Sequence, residues 1–315
     1  MLSGEKILIT GAGGTIAEPV AEFLAADNEV WGAARFSDPA RRAAADAKGI
    51  RTVPVDLAGD DLSALPTDFT YVLHFAWIRC PPGDFERAGR INADAAGRVI
   101  AHCRNAKGVL LTSSVGVYSP HPDPYFAYGE DHYLGVGCSD AFLEANAAVR
   151  MFNPTSAPAK LATEAVARFA STMFEVPLVV ARLTTAYGTT RLFPARYIRE
   201  LIAGETSLFP GDPYPHTPLH IDDLCRQTGP LLGAAEVGGT IVNWSGDEVV
   251  AYQDYARLPA AWMGVEPNCA VVPLPGYPPG LVSDKRRRLS ITGPCQVRFE
   301  DAVRQLYEQV RQEGS

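Results

Sequence analysis

A glycine-rich turn constrains this chain more than any other feature of its sequence. Residues 10–17 read Thr-Gly-Ala-Gly-Gly-Thr-Ile-Ala, between an apolar strand pattern at 6–10 and an amphipathic helix pattern at 16–26. A glycine turn in this setting lets the backbone approach a pyrophosphate closely, while the following helix N-terminus offers free N–H groups and a positive dipole. The turn therefore predicts a dinucleotide site. Its predicted contacts are Gly11, Gly13, Gly14, Thr15 and Ile16.

The first half of the chain alternates short apolar runs with amphipathic stretches, as strand–helix–strand units with parallel strands do. The predicted strands are Lys6–Thr10, Glu29–Ala33, Arg51–Val55, Tyr71–Phe75, Gly108–Thr112 and Leu178–Arg182. The predicted helices are Ile16–Ala26, Pro39–Ala47, Asn92–Asn105 and Ala159–Phe174. Right-handed crossovers place such helices on both faces of one sheet. The pattern thus predicts an α/β fold with a Rossmann-type doubly wound parallel sheet.

The sequence pattern changes after Tyr187, where proline and glycine become frequent and strand and helix patterns no longer alternate clearly. We therefore expect a smaller C-terminal substrate lobe. The predicted dinucleotide-binding domain comprises 1–188 with 216–248 returning to it, and the predicted substrate lobe comprises 189–215 and 249–315. The segment 120–153 is rich in aromatic and acidic residues without a clear period, and loops of this length are often functional.

Charge and composition exclude several classes of protein. The formal net charge of −8 argues against a nucleic-acid partner, because phosphate binding needs a basic surface. No apolar run reaches the roughly 18 residues that cross a bilayer, so we expect no membrane partner. The six cysteines are scattered without the spacing of a metal site. This distribution predicts reduced thiols in a cytoplasmic protein and no bound metal.

The end of the second predicted strand bears on the choice of cofactor. NAD-binding sheets place an acidic residue there for the ribose 2′-hydroxyl, whereas an arginine accommodates a 2′-phosphate. Here the strand ends in Ala-Ala before Arg35, and Arg41 and Arg42 follow on the next helix pattern. The sequence therefore favours NADP. NAD is the alternative, in which case Arg35 merely caps the sheet edge.

Motifs along almost the whole chain are similar to those of the extended short-chain dehydrogenase/reductases, also called the NAD-dependent epimerase/dehydratase family. The segments that carry the resemblance are Thr10–Ala17, Asp56-Leu57, His74-Phe75-Ala76, Asn92, Thr112–Tyr118, Lys160–Glu164, Arg182–Gly188 and His220–Asp223. The resemblance implies that Asp56 and Leu57 lie at the adenine end of the cofactor. It also implies that Phe75 and Ala76 line the cofactor.

The resemblance assigns the reacting end of the site as well. Ser114 takes the place of the family's catalytic hydroxyl, Asn92 that of a supporting helix residue, and Lys160 that of the lysine that bonds the nicotinamide ribose. In the family this lysine lowers, by its charge, the pKa of a tyrosine four residues before it, and that phenol is the general acid/base. In this chain Ser156 occupies the tyrosine position. A serine hydroxyl is far less acidic than a phenol, so it does not simply take over the role.

Two explanations for the missing phenol stay open. In the first, the segment 120–153 supplies a replacement, for which Tyr125, Tyr128 and Tyr133 are the candidates unless they pack as ordinary loop aromatics. In the second, the tyrosine is dispensed with. The protein is then a reductase that relies on Ser114 and water, a cofactor-assisted lyase or an inactive nucleotide sensor.

The residues and the resemblance together lead us to expect an NADP(H)-dependent oxidoreductase that acts on a carbonyl or hydroxyl carbon of a polar small molecule. The alternatives are a nucleotide-sugar epimerase or dehydratase with a tightly held cofactor, and a non-catalytic redox sensor. The family's arginine before His220 is absent from Pro215–Leu219, which counts against a nucleotide-sugar substrate. The resemblance also implies a homodimer through helices that include Ala159–Phe174.

Overall fold

The structure, a computed structural model of the chain, describes residues 2–59, 61–81, 83–135, 140–149 and 155–313. The strands are β1 (Lys6–Thr10), β2 (Glu29–Ala34), β3 (Arg51–Pro54), β4 (Tyr71–His74), β5 (Gly108–Ser114), β6 (Ala127–Tyr128), β7 (Leu178–Leu183), β8 (Ala186–Tyr187), β9 (Ser207–Phe209), β10 (Pro215–His216), β11 (Leu219–His220), β12 (Thr240–Trp244), β13 (Val250–Ala251), β14 (Cys269–Val271) and β15 (Val282–Ser283). The helices are α1 (Ala17–Ala25), α2 (Pro39–Ala47), α3 (Phe85–His102), α4 (Asp140–Val149), α5 (Ser156–Phe174), α6 (Ala195–Ile202), α7 (Ile221–Gly233), α8 (Asp254–Met263), α9 (Arg286–Thr292) and α10 (Phe299–Glu313). Within the described ranges no helix is both long and apolar enough to cross a lipid bilayer.

A seven-stranded sheet has the strand order β12-β7-β5-β4-β1-β2-β3, and the pairs from β5 to β3 are parallel. The chain builds outward from β1 to β3 and then crosses back to place β4 on the other side of β1. That reversal is a topological switch point, where ligands bind beyond the carboxyl ends of the strands in sheets of this kind. The predicted doubly wound α/β fold is confirmed.

Strand β1, in the middle of the sheet, is apolar on both faces. Ile7, Leu8 and Ile9 of β1 are completely buried, as expected for a parallel strand that helices cover on two sides. Helices α3 and α5 pack closely against each other through small residues. A Cβ atom at Gly97 would lie only 3.0 Å from Cγ1 of Val166, so glycine permits this approach.

Two helices begin earlier than the sequence pattern predicted. Helix α3 begins at Phe85 rather than Asn92, because Gly89 and the charged residues Glu86, Arg87 and Arg90 weaken the helix pattern of its first turns. Helix α5 begins at Ser156 rather than Ala159. Pro158 is tolerated there because the first turn of a helix needs no backbone N–H donors.

A buried ion pair ties α5 to the sheet. Arg182 of β7 donates through Nε and Nη2 to the two carboxylate oxygens of Glu164, at 3.1 and 2.8 Å. The hydroxyl of Ser113 on β5 donates to the same carboxylate. All three side chains are buried. The network therefore fixes α5 against two strands at once.

The chain divides into two compact units. The first comprises 1–114, 155–182 and 225–242, and the second comprises 115–154, 183–224 and 243–315. The sequence placed 115–154, 183–188, 216–224 and 243–248 with the dinucleotide-binding domain, whereas their contacts group them with the second unit.

The second unit has an aromatic core in place of the aliphatic core of the sheet. Its buried rings belong to Tyr187, Tyr197, Phe209, Tyr214, Tyr252, Tyr255 and Phe299. Short paired strands and α10 complete this unit. The basic run 285–288 is held by ion pairs and a backbone carbonyl, because Arg286 pairs with Asp284, Arg288 with Asp247, and Lys285 donates to the Asp247 carbonyl oxygen.

The ion pair between Glu164 and Arg182 predicts a large effect of removing its charge. Glu164→Gln leaves the buried guanidinium without a counter-charge, which costs about 3 to 5 kcal/mol. Glu86→Gln is the matched control, since Glu86 pairs with Arg90 on the exposed face of α3 and contributes less than about 1 kcal/mol. Denaturant unfolding of the wild type and the two variants measures both losses in the free energy of unfolding. A Glu164→Gln loss no larger than that of the control would contradict the structural role.

Candidate active site

The glycine turn lies at the switch point, directly beyond β1. Gly11 has φ +72°, and a Cβ atom there would lie 2.8 Å from Cα of Ala76. Glycine is therefore required for this close approach of two backbones, as well as for the turn itself. A Cβ atom on Gly14 would lie 3.0 Å from the Gly11 carbonyl oxygen, while one on Gly13 would meet only the ring of Phe36 at 3.9 Å.

The turn has the properties of an anion site. Gly14 and Thr15 are exposed, and Gly13 and Ile16 are half-buried. Ile16 is the N-cap residue of α1 and makes no side-chain cap, because its side chain is a hydrocarbon. In the first turn of α1 the Glu18 N–H donates to the Gly14 carbonyl oxygen and Pro19 has no N–H, so an anion would meet the turn before the helix, where the helix dipole favours a negative charge. The pyrophosphate contacts at Gly11, Gly13, Gly14, Thr15 and Ile16 stay a prediction.

The residues predicted near the adenosine lie beyond β2 and β3. Arg35 directly follows β2 and is exposed. Arg41 donates to the carbonyl oxygen of Gly13 at 3.3 Å and pairs with Asp38. The Asp56 carboxylate is exposed and accepts the N–H of Ala58.

Leu57, next to Asp56, is buried, and its carbonyl oxygen accepts a bond from Arg98 at 2.6 Å. Asp56 is therefore exposed beyond β3, and Leu57 anchors the segment next to it.

The turn after β4 is tied to the glycine turn. The N–H of Ala76 donates to Oγ1 of Thr10 at 3.2 Å, and the same oxygen lies 3.0 Å from Nδ1 of His74. Burial, together with the nearby Lys160 charge, lowers the pKa of His74 to about 3, so its ring is neutral. Phe75 and Ala76 are half-buried on the same turn.

Lys160 lies in the second turn of α5. Its Nζ donates to the carbonyl oxygen of Thr112 at 2.6 Å and lies 4.0 Å from the centroid of the Trp77 ring. Burial lowers the pKa of Lys160 to about 7, and the Glu164 carboxylate acts in the opposite direction. The ammonium is therefore held at Thr112, two residues before the end of β5. Ser114, the last residue of that strand, is half-buried.

Asn92 lies on the buried face of α3 and binds the loop after β4. Its Oδ1 accepts the N–H of Ile78 at 2.8 Å, and its Nδ2 donates to the Ile78 carbonyl oxygen at 3.0 Å and to that of Ala88 at 2.8 Å. The amide is thereby committed to backbone groups. Asn92 acts by holding this loop in place.

The candidate phenols lie in the second unit. Tyr128 is buried, its hydroxyl accepts the N–H of His121 at 2.9 Å, and its ring stacks on Tyr118. Burial raises the pKa of the Tyr128 hydroxyl. Tyr125 and Tyr133 are 55% and 81% exposed. Ser156 is half-buried at the start of α5.

Sequence reasoning missed several residues around Lys160. Ser113, Glu164 and Arg182 form the buried network, and Trp77 packs on the ammonium. One signal was available, because Glu164 follows Lys160 by one helical turn and i,i+4 neighbours share a face. The partners on other strands carried no local signal.

Cysteines and clusters of metal-ligating side chains offer no further site in the described residues. Cys80, Cys103, Cys225, Cys269 and Cys295 are free thiols, the first three of them buried, while Cys138 lies outside the described residues. Within the same ranges no group of three or more His, Cys, Asp or Glu side chains could hold a metal ion.

A cavity of about 210 Å³ lies within the second unit. Its lining includes Tyr187, His220 and the carboxylates of Asp223, Asp247 and Glu248. Each carboxylate accepts at least one backbone N–H from the segment 295–299. These acidic groups therefore fix that segment, and they do not favour an anionic ligand.

Comparison with known proteins agrees with this architecture. The model of the NAD dependent epimerase/dehydratase family matches residues 7–228. No curated protein matches the chain. The predicted family resemblance is thereby confirmed.

Solved structures have the same fold at low sequence identity. UDP-glucuronic acid 4-epimerase from Bacillus cereus, in complex with UDP-glucuronic acid and NAD, is 21% identical with a TM-score of 0.78, over 98% of this chain and 99% of that chain. UDP-N-acetylglucosamine 4-epimerase from Methanobrevibacter ruminantium M1 is 17% identical with a TM-score of 0.80, over 99% and 100%. The Bordetella bronchiseptica enzyme WbmG, in complex with NAD, is 20% identical with a TM-score of 0.78, over 99% and 96%.

The lowered pKa of Lys160 predicts a pH-dependent contribution to stability. Between about pH 7 and pH 10 the unfolded chain keeps this proton and the folded chain has lost it, so the free energy of unfolding rises with pH. The rise is at most about 1.4 kcal/mol per pH unit. Lys160→Met removes it, whereas Lys107→Met, at an exposed position, does not. Denaturant unfolding at several pH values tests this, and equal slopes in all three proteins would contradict it.

Proposed function

The chain belongs to the NAD dependent epimerase/dehydratase family, and on that premise we propose that it is an oxidoreductase that uses a nicotinamide dinucleotide to act on a carbonyl or hydroxyl carbon of a polar small molecule. One observation carries the proposal. The Lys160 ammonium is bonded to the end of β5, two residues before Ser114, and the turn after β4 links this region to the glycine turn. A dinucleotide site and a site for acid/base chemistry thus share one sheet edge.

The chain's residues would meet the cofactor in four places. The turn at 11–16 would hold the pyrophosphate through backbone N–H groups other than those of Gly11 and Gly14, which donate to the carbonyl oxygens of Ala33 and Gly11. Asp56 is placed for the adenosine, and the turn carrying Phe75 and Ala76 for the middle of the molecule. Lys160 provides a charge for the nicotinamide ribose. When bound, the cofactor supplies the hydride acceptor or donor.

The protein's own chemistry consists of orientation, charge and proton transfer. The Ser114 hydroxyl binds the reacting oxygen of the substrate, and the charged form of Lys160, which predominates below about pH 7 in the cofactor-free protein, stabilises negative charge as it develops there. Ser156 occupies the position of the family's phenol and is too weakly acidic to replace it. The proton therefore comes from another phenol or from water that Ser114 orders.

Burial of Tyr128, whose hydroxyl accepts a backbone N–H, favours a packing role for that residue. Tyr125 and Tyr133 remain as exposed candidates for the acid. We expect Tyr→Phe at the position that supplies the proton to lower kcat by about 10²- to 10⁴-fold. The other two changes affect stability only. Ser156→Tyr should not raise turnover, because the acid has been rebuilt elsewhere.

Steady-state kinetics of these four variants on any accepted carbonyl substrate test the proposal. If all three phenylalanine variants keep full turnover, the proton comes from Ser114 or water. A higher rate in Ser156→Tyr would count against hydride transfer with a rebuilt acid and would favour the lyase or the sensor. Absence of hydride transfer to or from any carbonyl or alcohol substrate would refute the proposed function.

NADP is the cofactor that Arg35 favours, with NAD as the alternative. Arg35 is exposed directly after β2, where a 2′-phosphate would lie. Arg35→Ala should weaken NADPH binding by about 10- to 150-fold, the loss expected for a charge-assisted bond, and leave NADH nearly unchanged. Arg42→Ala is the matched control, since Arg42 bonds Thr52 and lies near Asp46. Equal affinity of the wild type for both cofactors in a titration would contradict this preference.

A nucleotide-sugar epimerase or dehydratase is the second candidate. Its support is the fold shared with 4-epimerases whose structures contain NAD and UDP-sugars. Such an enzyme would retain its cofactor through purification and release no reduced cofactor during turnover. A redox sensor would bind the cofactor and turn over no substrate.

We also propose a homodimer in a reducing, cytoplasmic compartment. Phe169 and Met173 of α5 are exposed, and with Phe174 they line a cavity of about 360 Å³ at the end of that helix. Apolar side chains exposed together in this way favour an interface with a second copy. The free thiols of the described cysteines support the compartment.

A further inference from the structure

Trp77 is the side chain that covers the Lys160 ammonium. Its ring centroid lies 4.0 Å from Nζ, well within the distance for a cation–π interaction. Trp77 is half-buried and packs against an apolar cluster formed by Cys80, Ala88, Ile91 and Ala159, the last of which belongs to α5. The indole therefore contacts the helix that carries Lys160 as well as its charge.

The position of Trp77 is fixed from both sides. On its N-terminal side, Ala76 donates to Thr10. On its C-terminal side, both backbone groups of Ile78 are bound by the amide of Asn92. A tryptophan between two bound residues loses little further freedom when it packs against an ammonium.

We propose that Trp77 is a positioning residue for Lys160, and that Asn92 acts on the same ammonium through the backbone of Ile78. The ring holds Nζ toward the Thr112 carbonyl oxygen and stabilises its charged form. The effect of this positioning on catalysis rests on the proposed function, in which the reaction uses the Lys160 charge. The contact itself belongs to the protein without any ligand.

Besides Trp77, three groups bear on the charge of Lys160: the Glu164 carboxylate, the His74 ring and the Thr112 carbonyl oxygen. The Glu164 carboxylate, on the same helix, favours the ammonium, while burial opposes it. His74 of β4 is neutral and contributes no charge. The Thr112 carbonyl oxygen of β5 accepts a hydrogen bond from Nζ of Lys160. Trp77 adds a negative ring face to this set, and it also excludes water.

The two effects of Trp77 have opposite signs, which makes the proposal testable. Loss of a cation–π contact lowers the pKa of Lys160, because the charged form loses a partner. If Trp77 served only to exclude water, its loss would raise the pKa of Lys160, because water would then reach the ammonium.

The experiment is carbon-13 NMR of the lysine Cε atoms in the cofactor-free protein over a pH series. The chain has five lysines, so the spectrum is simple, and Lys160→Arg assigns the signal. We expect Trp77→Leu to lower the pKa of Lys160 by about 0.4 to 1.5, and Trp77→Phe to lower it less. Trp31→Leu is the matched control, because that ring lies over Lys6 and leaves Lys160 unchanged.

Fluorinated tryptophan provides a second variant that does not depend on the leucine protein folding. Fluorine weakens the negative potential on the face of the ring with almost no change in shape. Each added fluorine atom should therefore lower the pKa of Lys160 further. A pKa that stays constant or rises in Trp77→Leu, or that ignores fluorination, would overturn the proposal. The result is independent of hydride transfer, because no cofactor or substrate is present.

Discussion

The buried ion pair between Arg182 and Glu164 is the interaction on which the candidate site depends. Removing two charges from water is costly, and it is offset here by two-point contact with the guanidinium and by the Ser113 hydroxyl. The pair crosses from α5 to β7, and Ser113 adds β5. Lys160 lies one helical turn before Glu164, so the same contacts that fix the helix also set the position of the ammonium.

A second set of contacts joins the two turns that follow β1 and β4. The close approach of Gly11 to Ala76 leaves no room for a side chain, and Thr10 bonds the same turn. These strands are neighbours only because the chain crosses back at the switch point. The topology thus brings the glycine turn and a lysine far along the chain to one sheet edge, and Asn92 binds the loop after β4.

Local patterns in the sequence were sufficient for six of the seven strands of the sheet, all but β12, and for the glycine turn, because a strand, a glycine turn and a helix each depend on neighbouring residues. They were not sufficient for the surroundings of Lys160. Arg182 and Ser113 come from other strands, and nothing close to either residue marks it as a partner of Glu164. The position of Trp77 over the ammonium is likewise decided by tertiary packing. An aromatic residue in an irregular segment, such as Tyr128, has no period from which burial can be predicted.

The most direct test of the account is a crystal structure of the protein with NADP(H). The account predicts the pyrophosphate against the backbone of residues 11–16, and the Lys160 ammonium within about 3 Å of a nicotinamide ribose hydroxyl. Ser114 should then face the nicotinamide. A dinucleotide bound away from the glycine turn, or one that leaves Lys160 without any contact to it, would contradict the central claim.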